Sequence, residues 1–418
     1  MEVSLMVGKE LRLSRILDPE DGRAVVVAAD HGFMLGPIPG ADRLADTLRR
    51  VIAGKPDAVL LSPGQAINMH DLFLGRDKPA ILIRVDWTSA FRDRTYPLPA
   101  RTVAFSLSCT PRKAVKLGAQ GIVSYFFVGY EDEEFEAMQY EMLARLSREC
   151  DEIGLPFVVE PVPMGPRVTK ANRTDLIVMS VRMATEIGAD MLKVPYTGDP
   201  ESFKRVVDTA YGTPVLILGG YRALTMKDML EVIEEALEVG ARGVVFGRNV
   251  IQSPDPARTL EAIRAIVHEG KSVRDVVLGE IKGRMRLVVD NSKCTGCGIC
   301  EMICSFMHEG FVDAGLARLR VEGSWPGPFS IKVCIQCTKC VNACPTGALE
   351  RDEKLGYIKV DPSKCTLCGE CVEVCPNQVI ILNKAKPHVL ICDLCGGLPE
   401  CVYWCPRDAI RVMEVRAG

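Results

Sequence analysis

Of the 18 cysteines in this 418-residue chain, all but Cys109 and Cys150 fall between Cys294 and Cys405. Three groups repeat the spacing C-x2-C-x2-C-x3-C: Cys294, Cys297, Cys300 and Cys304; Cys334, Cys337, Cys340 and Cys344; Cys365, Cys368, Cys371 and Cys375. A fourth group, Cys392, Cys395, Cys401 and Cys405, widens the middle gap. Three thiolates two residues apart can wrap one iron–sulfur cube, while a fourth, three residues further on and followed by proline, reaches a neighbouring cube. Proline follows Cys344, Cys375 and Cys405. At four ligands per cube the spacing predicts four [4Fe–4S] clusters, whose chemistry is one-electron transfer. Structural zinc is the competing reading, but zinc sites use two close pairs across a long span and need no triple. Disulfides fit less well, since no secretory signal opens the chain and such tight spacing in an intracellular protein reads as metal ligation.

The first two-thirds of the chain carries a different chemistry. Lys193 lies in the apolar run Met191, Leu192, Val194, Pro195. An amine carried into a packed interior is pushed toward its neutral, nucleophilic form by desolvation. A lysine paired with a carboxylate for structural reasons fits the same pattern. Gly219-Gly220 and Gly247-Arg248 follow two later apolar runs; glycines there let backbone N–H groups approach an anion, and Arg248 offers a bidentate clamp. Cys109 and Cys150 read as buried small hydrophobes.

These residues must be positioned by the elements around them. Short β-branched runs at 24–30, 58–62, 80–85, 121–127, 157–162, 191–195, 215–219 and 244–247 alternate with helical patterns at 42–52, 131–153, 173–187, 200–211, 225–239 and 255–268, which is the signature of a parallel α/β fold. Gly-Ala pairs at Gly118, Gly188 and Gly240 close helices just before strands. Eight such units in this length predict a (β/α)8 TIM barrel, and no G-x-G-x-x-G follows the first strand to favour a doubly wound sheet. Catalytic groups in such barrels sit at the C-terminal strand ends. That rule selects Asp30-His31-Gly32, Glu160, Lys193, Gly219-Gly220 and Gly247-Arg248, with the two glycine pairs after strands seven and eight, where barrels hold phosphate.

The runs AADHGFMLGPIPG from residue 28, ADMLKVPYTG from 189, LILGG from 216 and VFGRNVIQ from 245 resemble the archaeal-type class I aldolases. That family includes fructose-bisphosphate aldolases, 2-amino-3,7-dideoxyheptulosonate synthase and the autoinducer-2 processing enzyme. The resemblance covers about residues 5 to 270. It implies that Lys193 forms a Schiff base with a phosphorylated keto substrate, that Asp30 moves protons beside it, and that Gly219, Gly220, Gly247 and Arg248 bind the phosphate. It also implies a homo-oligomer assembled through the barrel. One departure stands out: where the aldolases carry Tyr-Pro-Arg-Gly after strand five, this chain has Val162-Pro163-Met164-Gly165. The tyrosine that handles a hydroxyl proton is absent, as it is in the autoinducer-2 enzyme, which transfers an acyl group. Glu160, His31 and Tyr196 remain to take its place.

From about residue 288, and most specifically over CTGCGICEMICSFMHEG from residue 294, the chain resembles the four-cluster ferredoxin subunits of anaerobic oxidoreductases. That resemblance implies crossed ligation: Cys294, Cys297 and Cys300 with Cys405; Cys392, Cys395 and Cys401 with Cys304; and an exchange of Cys344 and Cys375 between the inner groups. It implies a redox partner as well, either a ferredoxin or an oxidoreductase catalytic subunit.

The expected organisation is therefore a class I aldolase-like TIM barrel over 1–270, a connecting segment over 271–287 and an α+β polyferredoxin domain over 288–418. Val288-Val289 should open the first ferredoxin strand, with hairpin strands near 355–360 and 378–382. A net charge of −3 gives no reason to expect nucleic acid, and no apolar run is long enough to span a membrane. From Asp290 on, 15 acidic residues face 14 basic ones, so anionic clusters would make that part acidic overall. The expected setting is cytoplasmic and anaerobic. Two functions follow: a Schiff-base lyase or transferase fused to an electron conduit, or an electron-transfer subunit, as of an aldehyde oxidoreductase, whose barrel is a non-catalytic scaffold.

Overall fold

The computed structural model describes residues 2–92, 96–101, 103–220, 226–253, 255–278, 284–353 and 355–415. It divides into two compact units, changing over between Ser272 and Val273.

All eight expected strands form in the first unit. They are β1 (Ala24–Ala28), β2 (Ala58–Leu61), β3 (Ala80–Arg84), β4 (Gly121–Val128), β5 (Phe157–Pro163), β6 (Met191–Pro195), β7 (Val215–Leu218) and β8 (Gly243–Phe246). Each pairs in parallel with its neighbours and β1 pairs with β8, with Val26 opposite Val245, so the sheet is a closed barrel and not an open one. Side chains on a strand alternate in direction. In the barrel interior Val26, Ala28, Leu60, Leu82, Val123, Val158, Met191, Leu216 and Val245 pack into one buried cluster. Continuing the same alternation one step toward the C-terminal ends gives Asp30, Arg84, Tyr125, Glu160 and Lys193. The interior thus changes within one layer from aliphatic to charged.

Helices return the chain between strands, and several start with the caps their sequences provide. Ser62 accepts from the Gln65 N–H in a reciprocal capping box, and Thr110, Asp132, Asp199 and Asp255 each accept a backbone N–H in the first turn. Two additions escaped the periodicity. A helix, Glu2–Leu13, precedes the barrel, and a hairpin of Asp86–Thr88 with Phe105–Leu107 rises after β3. At the opposite end, His268 sits between Asp21 (2.7 Å) and Asp57 (2.9 Å), with Arg264 3.1 Å from Asp57. No helix of the described residues is long and apolar enough to cross a membrane.

The second unit opens with a helix, Val273–Leu278, and a strand, Arg284–Val289, that begins earlier than expected and pairs antiparallel with the strand Ile410–Val415. Within the stretch expected as a strand near 355–360, Ile358–Val360 is one, and it pairs antiparallel with Leu349–Arg351, which was not expected. The segment expected as a strand near 378–382 makes only a single bridge, Ile381 with Leu390. Its neighbours Val379 and Ile380 are buried among cysteines, so side-chain packing replaces a ladder there. The two cores of this unit are small and mix aliphatic residues such as Leu287, Leu319, Ile358 and Ile391 with cysteines.

Candidate active site and cysteine centres

The C-terminal mouth of the barrel is organised around Arg84, which is fully buried. Its Nε donates to Asp30 Oδ2 at 2.8 Å and its Nη2 donates to Glu160 Oε2. Nη1 lies 3.7 Å from Asp86 Oδ1, too far for a hydrogen bond, and both of those atoms are buried without a hydrogen-bond partner. The guanidinium carbon stands 3.7 Å from the centroid of the Tyr125 ring. Glu160 uses its second oxygen, Oε1, on Lys193 Nζ at 2.9 Å. One carboxylate therefore bridges the two cations, and Asp30 is joined to Lys193 through Arg84 and Glu160.

The electrostatics follow from burial and charge. Burial alone would raise Asp30, but the charges of Arg84, Lys193 and His31 outweigh it and hold the carboxyl below its ordinary value. Burial and the cations Lys193 and Arg248 lower His31. Asp86, fully enclosed, accepts from Ser124 Oγ (2.7 Å) and the Tyr125 N–H (2.6 Å), yet burial still pushes it up to about 6. Burial likewise holds the Tyr125 phenol well above its usual value. Tyr196 is committed elsewhere, donating to Glu235 Oε2 at 2.6 Å.

The two glycine loops lie after β7 and β8. Arg248 Nη2 donates to the Gly220 carbonyl at 2.6 Å and Asn249 Nδ2 to the Gly219 carbonyl at 3.3 Å, which ties one loop to the other. Gly247 is required by its neighbour: a Cβ there would lie 2.1 Å from His31 Cε1. His31, from the loop after β1, is thereby placed against the β8 loop. Of the residues singled out in the sequence, Asp30, Glu160 and Lys193 share one ion network, and His31 adjoins the glycine loops. Arg84, Asp86 and Tyr125 were missed. Their signal was available, since Arg84 interrupts an apolar strand just as Lys193 does.

In the second unit three small hollows are each lined by four cysteines, three close in sequence and one distant. One holds Cys294, Cys297, Cys300 and Cys405; another Cys334, Cys337, Cys340 and Cys375; the third Cys365, Cys368, Cys371 and Cys344. Cys304, Cys392 and Cys401 pack in one core, and burial first, then the charges of Cys395, Cys304 and Cys300, hold Cys401 well above its ordinary value. Burial also pushes Cys300, Cys334 and Cys395 up to about 12. Backbone N–H groups already point at sulfur, from Ala348 to Cys344 (3.3 Å), Ala409 to Cys405 (3.2 Å) and Arg318 to Cys304 (3.2 Å). Four convergent thiols around one hollow, with N–H donors aimed at several of the sulfurs, fit a cuboidal iron–sulfur cluster.

Comparison with known proteins gives the same division. Residues 24–253 match the model of the DeoC/LacD family of aldolases; residues 333–379 match a 4Fe-4S dicluster domain and 287–306 a 4Fe-4S binding domain. An uncharacterized aldolase of Saccharolobus solfataricus is 34% identical over 277 residues, which is 65% of this chain and 98% of that protein. The 2-amino-3,7-dideoxy-D-threo-hept-6-ulosonate synthase of Halobacterium salinarum is 34% identical over 263 residues, covering 63% of this chain and 92% of the synthase. Among solved structures, an archaeal fructose-1,6-bisphosphate aldolase with its catalytic lysine covalently bound to the carbinolamine intermediate superposes with a TM-score of 0.54. It is 28% identical, over 62% of this chain and 99% of its own.

Proposed function

We propose a function from the premise that this chain belongs to the DeoC/LacD family of aldolases and carries 4Fe-4S domains after its barrel. The barrel makes or breaks a carbon–carbon bond in a phosphorylated keto compound through a Schiff base on Lys193, as a lyase or transferase. The C-terminal unit passes electrons to or from a redox partner protein. The observation that carries the reading is the Lys193–Glu160 contact at 2.9 Å, with both side chains under a tenth exposed.

The contact has a chemical use. Glu160 Oε1 takes a proton from Lys193 Nζ; the neutral amine adds to the keto carbon, and the carboxylic acid returns the proton to the carbinolamine hydroxyl, which leaves as water. The resulting iminium accepts the electron pair released by the breaking carbon–carbon bond. Asp30, kept ionised by Arg84, is a proton acceptor at neutral pH. Glu160 takes the place of the absent tyrosine: Tyr196 is bonded to Glu235, whereas Glu160 already touches the lysine. Gly219, Gly220, Gly247 and Arg248 hold the substrate phosphate.

Each of the four cysteine sets would hold one [4Fe–4S] cluster, which supplies one-electron transfer when bound. Cys297, Cys337 and Cys368 are exposed, so three of the sets reach the surface, where a partner can exchange electrons.

The second reading, an electron-transfer subunit with an inert barrel, is favoured by Val162 at the tyrosine position and by the ion pair that already engages Lys193 with Glu160. Borohydride reduction in the presence of dihydroxyacetone phosphate separates the two. A working barrel gains covalent mass on Lys193 that Lys193→Met abolishes; an inert one gains none. Iron analysis of anaerobically purified protein tests the other half: about sixteen irons per chain support four clusters, and zinc in their place refutes them.

A further inference from the structure

The mouth of the barrel has two sides of opposite character. The glycine loops follow β7 and β8, which in the closed ring stand opposite β3 and β4. On that opposite side the polar layer of Arg84 and Tyr125 gives way outward to an apolar wall. Phe127 stacks on Tyr125 with ring centroids 5.1 Å apart, and Phe91 approaches both, at 5.4 Å from Tyr125 and 6.0 Å from Phe127. Trp87 of the hairpin, Val162 and Met164 complete one cluster with them. Val162 is the next inward residue after Glu160 on β5, so the wall begins one layer above the ion network. Phe91, Trp87, Val162 and Met164 are each only partly buried, which leaves this face within reach of a ligand.

A substrate held by its phosphate at the β7 and β8 loops and by its carbonyl at Lys193 on β6 directs its other end across the mouth to this wall. A chain of hydroxyls placed there would lose water and meet no hydrogen-bond partners from these six side chains, apart from the rim atoms of Tyr125 and Trp87. An alkyl or aryl group would gain by burial. Resting on the Schiff-base reading, we propose that the substrate beyond its carbonyl is apolar, a branched alkyl or aryl group, and not the polyhydroxylated chain of a sugar phosphate. The replacement of tyrosine by Val162 then belongs to the specificity of the site, since it adds an alkyl group to the wall, while Glu160 is left to handle protons.

The test uses the full-length holoprotein and two 2-oxo-1-phosphates, 4-phenyl-2-oxobutyl phosphate and fructose 1,6-bisphosphate. Each condenses with the Lys193 amine to an imine plus water, and borohydride reduces the imine to a stable amine counted by mass. The phenyl probe should half-saturate trapping at a concentration at least about tenfold lower than the sugar bisphosphate. Phe91→Ala should shrink that ratio about tenfold, and the near-isosteric Val162→Thr should shrink it several-fold even if the larger truncation fails to fold. Trapping of both probes with equal or reversed preference overturns this proposal and leaves the Schiff-base reading standing. No adduct at Lys193 with either probe overturns both.

Discussion

Replacing Glu160 by glutamine separates two roles that the structure superimposes. The Lys193–Glu160 distance of 2.9 Å corresponds to a gross Coulomb attraction of about 6 kcal/mol at an effective dielectric near 20. Glutamine keeps an oxygen for Arg84 but removes both that attraction and the carboxylate proton acceptor in contact with the amine. If the carboxylate merely pins the ammonium, its loss frees a nucleophile and imine formation at pH 7 speeds up. If it carries the proton, loss of general base and acid catalysis slows imine formation by about 10² to 10⁴. We expect the second outcome. The assay mixes enzyme with dihydroxyacetone phosphate, quenches into borohydride at timed intervals, and counts the reduced adduct by mass between pH 7 and 10. Glu160→Gln should be at least about 100-fold slower at pH 7 and should recover toward wild type as hydroxide takes over the proton. A variant that traps as fast as wild type at pH 7, or faster, would falsify the assignment of the proton to Glu160.

Three further outcomes follow from the same electrostatics. Asp86, raised from 3.8 to about 6 by burial, binds its proton more tightly folded than unfolded; its stabilising contribution is full at low pH and is lost as pH rises through about 6. Wild type should thus lose roughly 1–2 kcal/mol between pH 5 and 8 that Asp86→Asn does not lose, as read from thermal midpoints of the barrel transition. His268 behaves as a cation: burial pulls it down, but the hydrogen bonds and charges of Asp57 and Asp21 outweigh burial and raise it. Its contribution is present below pH 6.5 and lost as pH rises through the raised value, so His268→Gln should cost about 1–3 kcal/mol at pH 6 and less at pH 9. In the second unit, Cys405→Ser should remove about four of sixteen irons and perturb the cluster held by Cys294, Cys297 and Cys300, although these lie more than a hundred residues away. Loss of iron confined to a cluster of Cys392, Cys395 and Cys401 would refute crossed ligation.

The barrel was legible because its strands are buried on both faces. Runs such as AVVVA at 24–28 and AVLL at 58–61 are apolar throughout, and each is closed by a helix whose cap or glycine marks the return. The hairpin after β3 was not legible, since its strands are three residues each; alternation over three residues carries no period. The short strand expected near 378–382 failed for the opposite reason. Val379 and Ile380 are apolar because they cover thiols, so their hydrophobicity reports contact with a cluster site and not a place in a ladder.

Lys193, Asp30 and Glu160 could be singled out in the sequence, yet Arg84 and Tyr125 beside them could not, nor could the network that joins them. Asp30, two residues past the end of β1, and Arg84, Tyr125, Glu160 and Lys193, on β3 to β6, are spread over more than 160 positions, and only the closing of the strands into a ring makes them neighbours. Each occupies the same place in its own strand, two residues beyond an interior aliphatic: Ala28, Leu82, Val123, Val158 and Met191. A single polar residue at that place reads as the end of a strand. Five of them, once the strands are known to close, describe a polar floor beneath the mouth with one arginine at its centre. Arg84 went unnoticed because a lone buried cation is costly and the sequence shows none of the carboxylates that compensate it. Those partners lie 54 and 76 positions away in Asp30 and Glu160. What made the site illegible is therefore what makes it stable, since no member is tolerable in the interior until the barrel has brought the others to it.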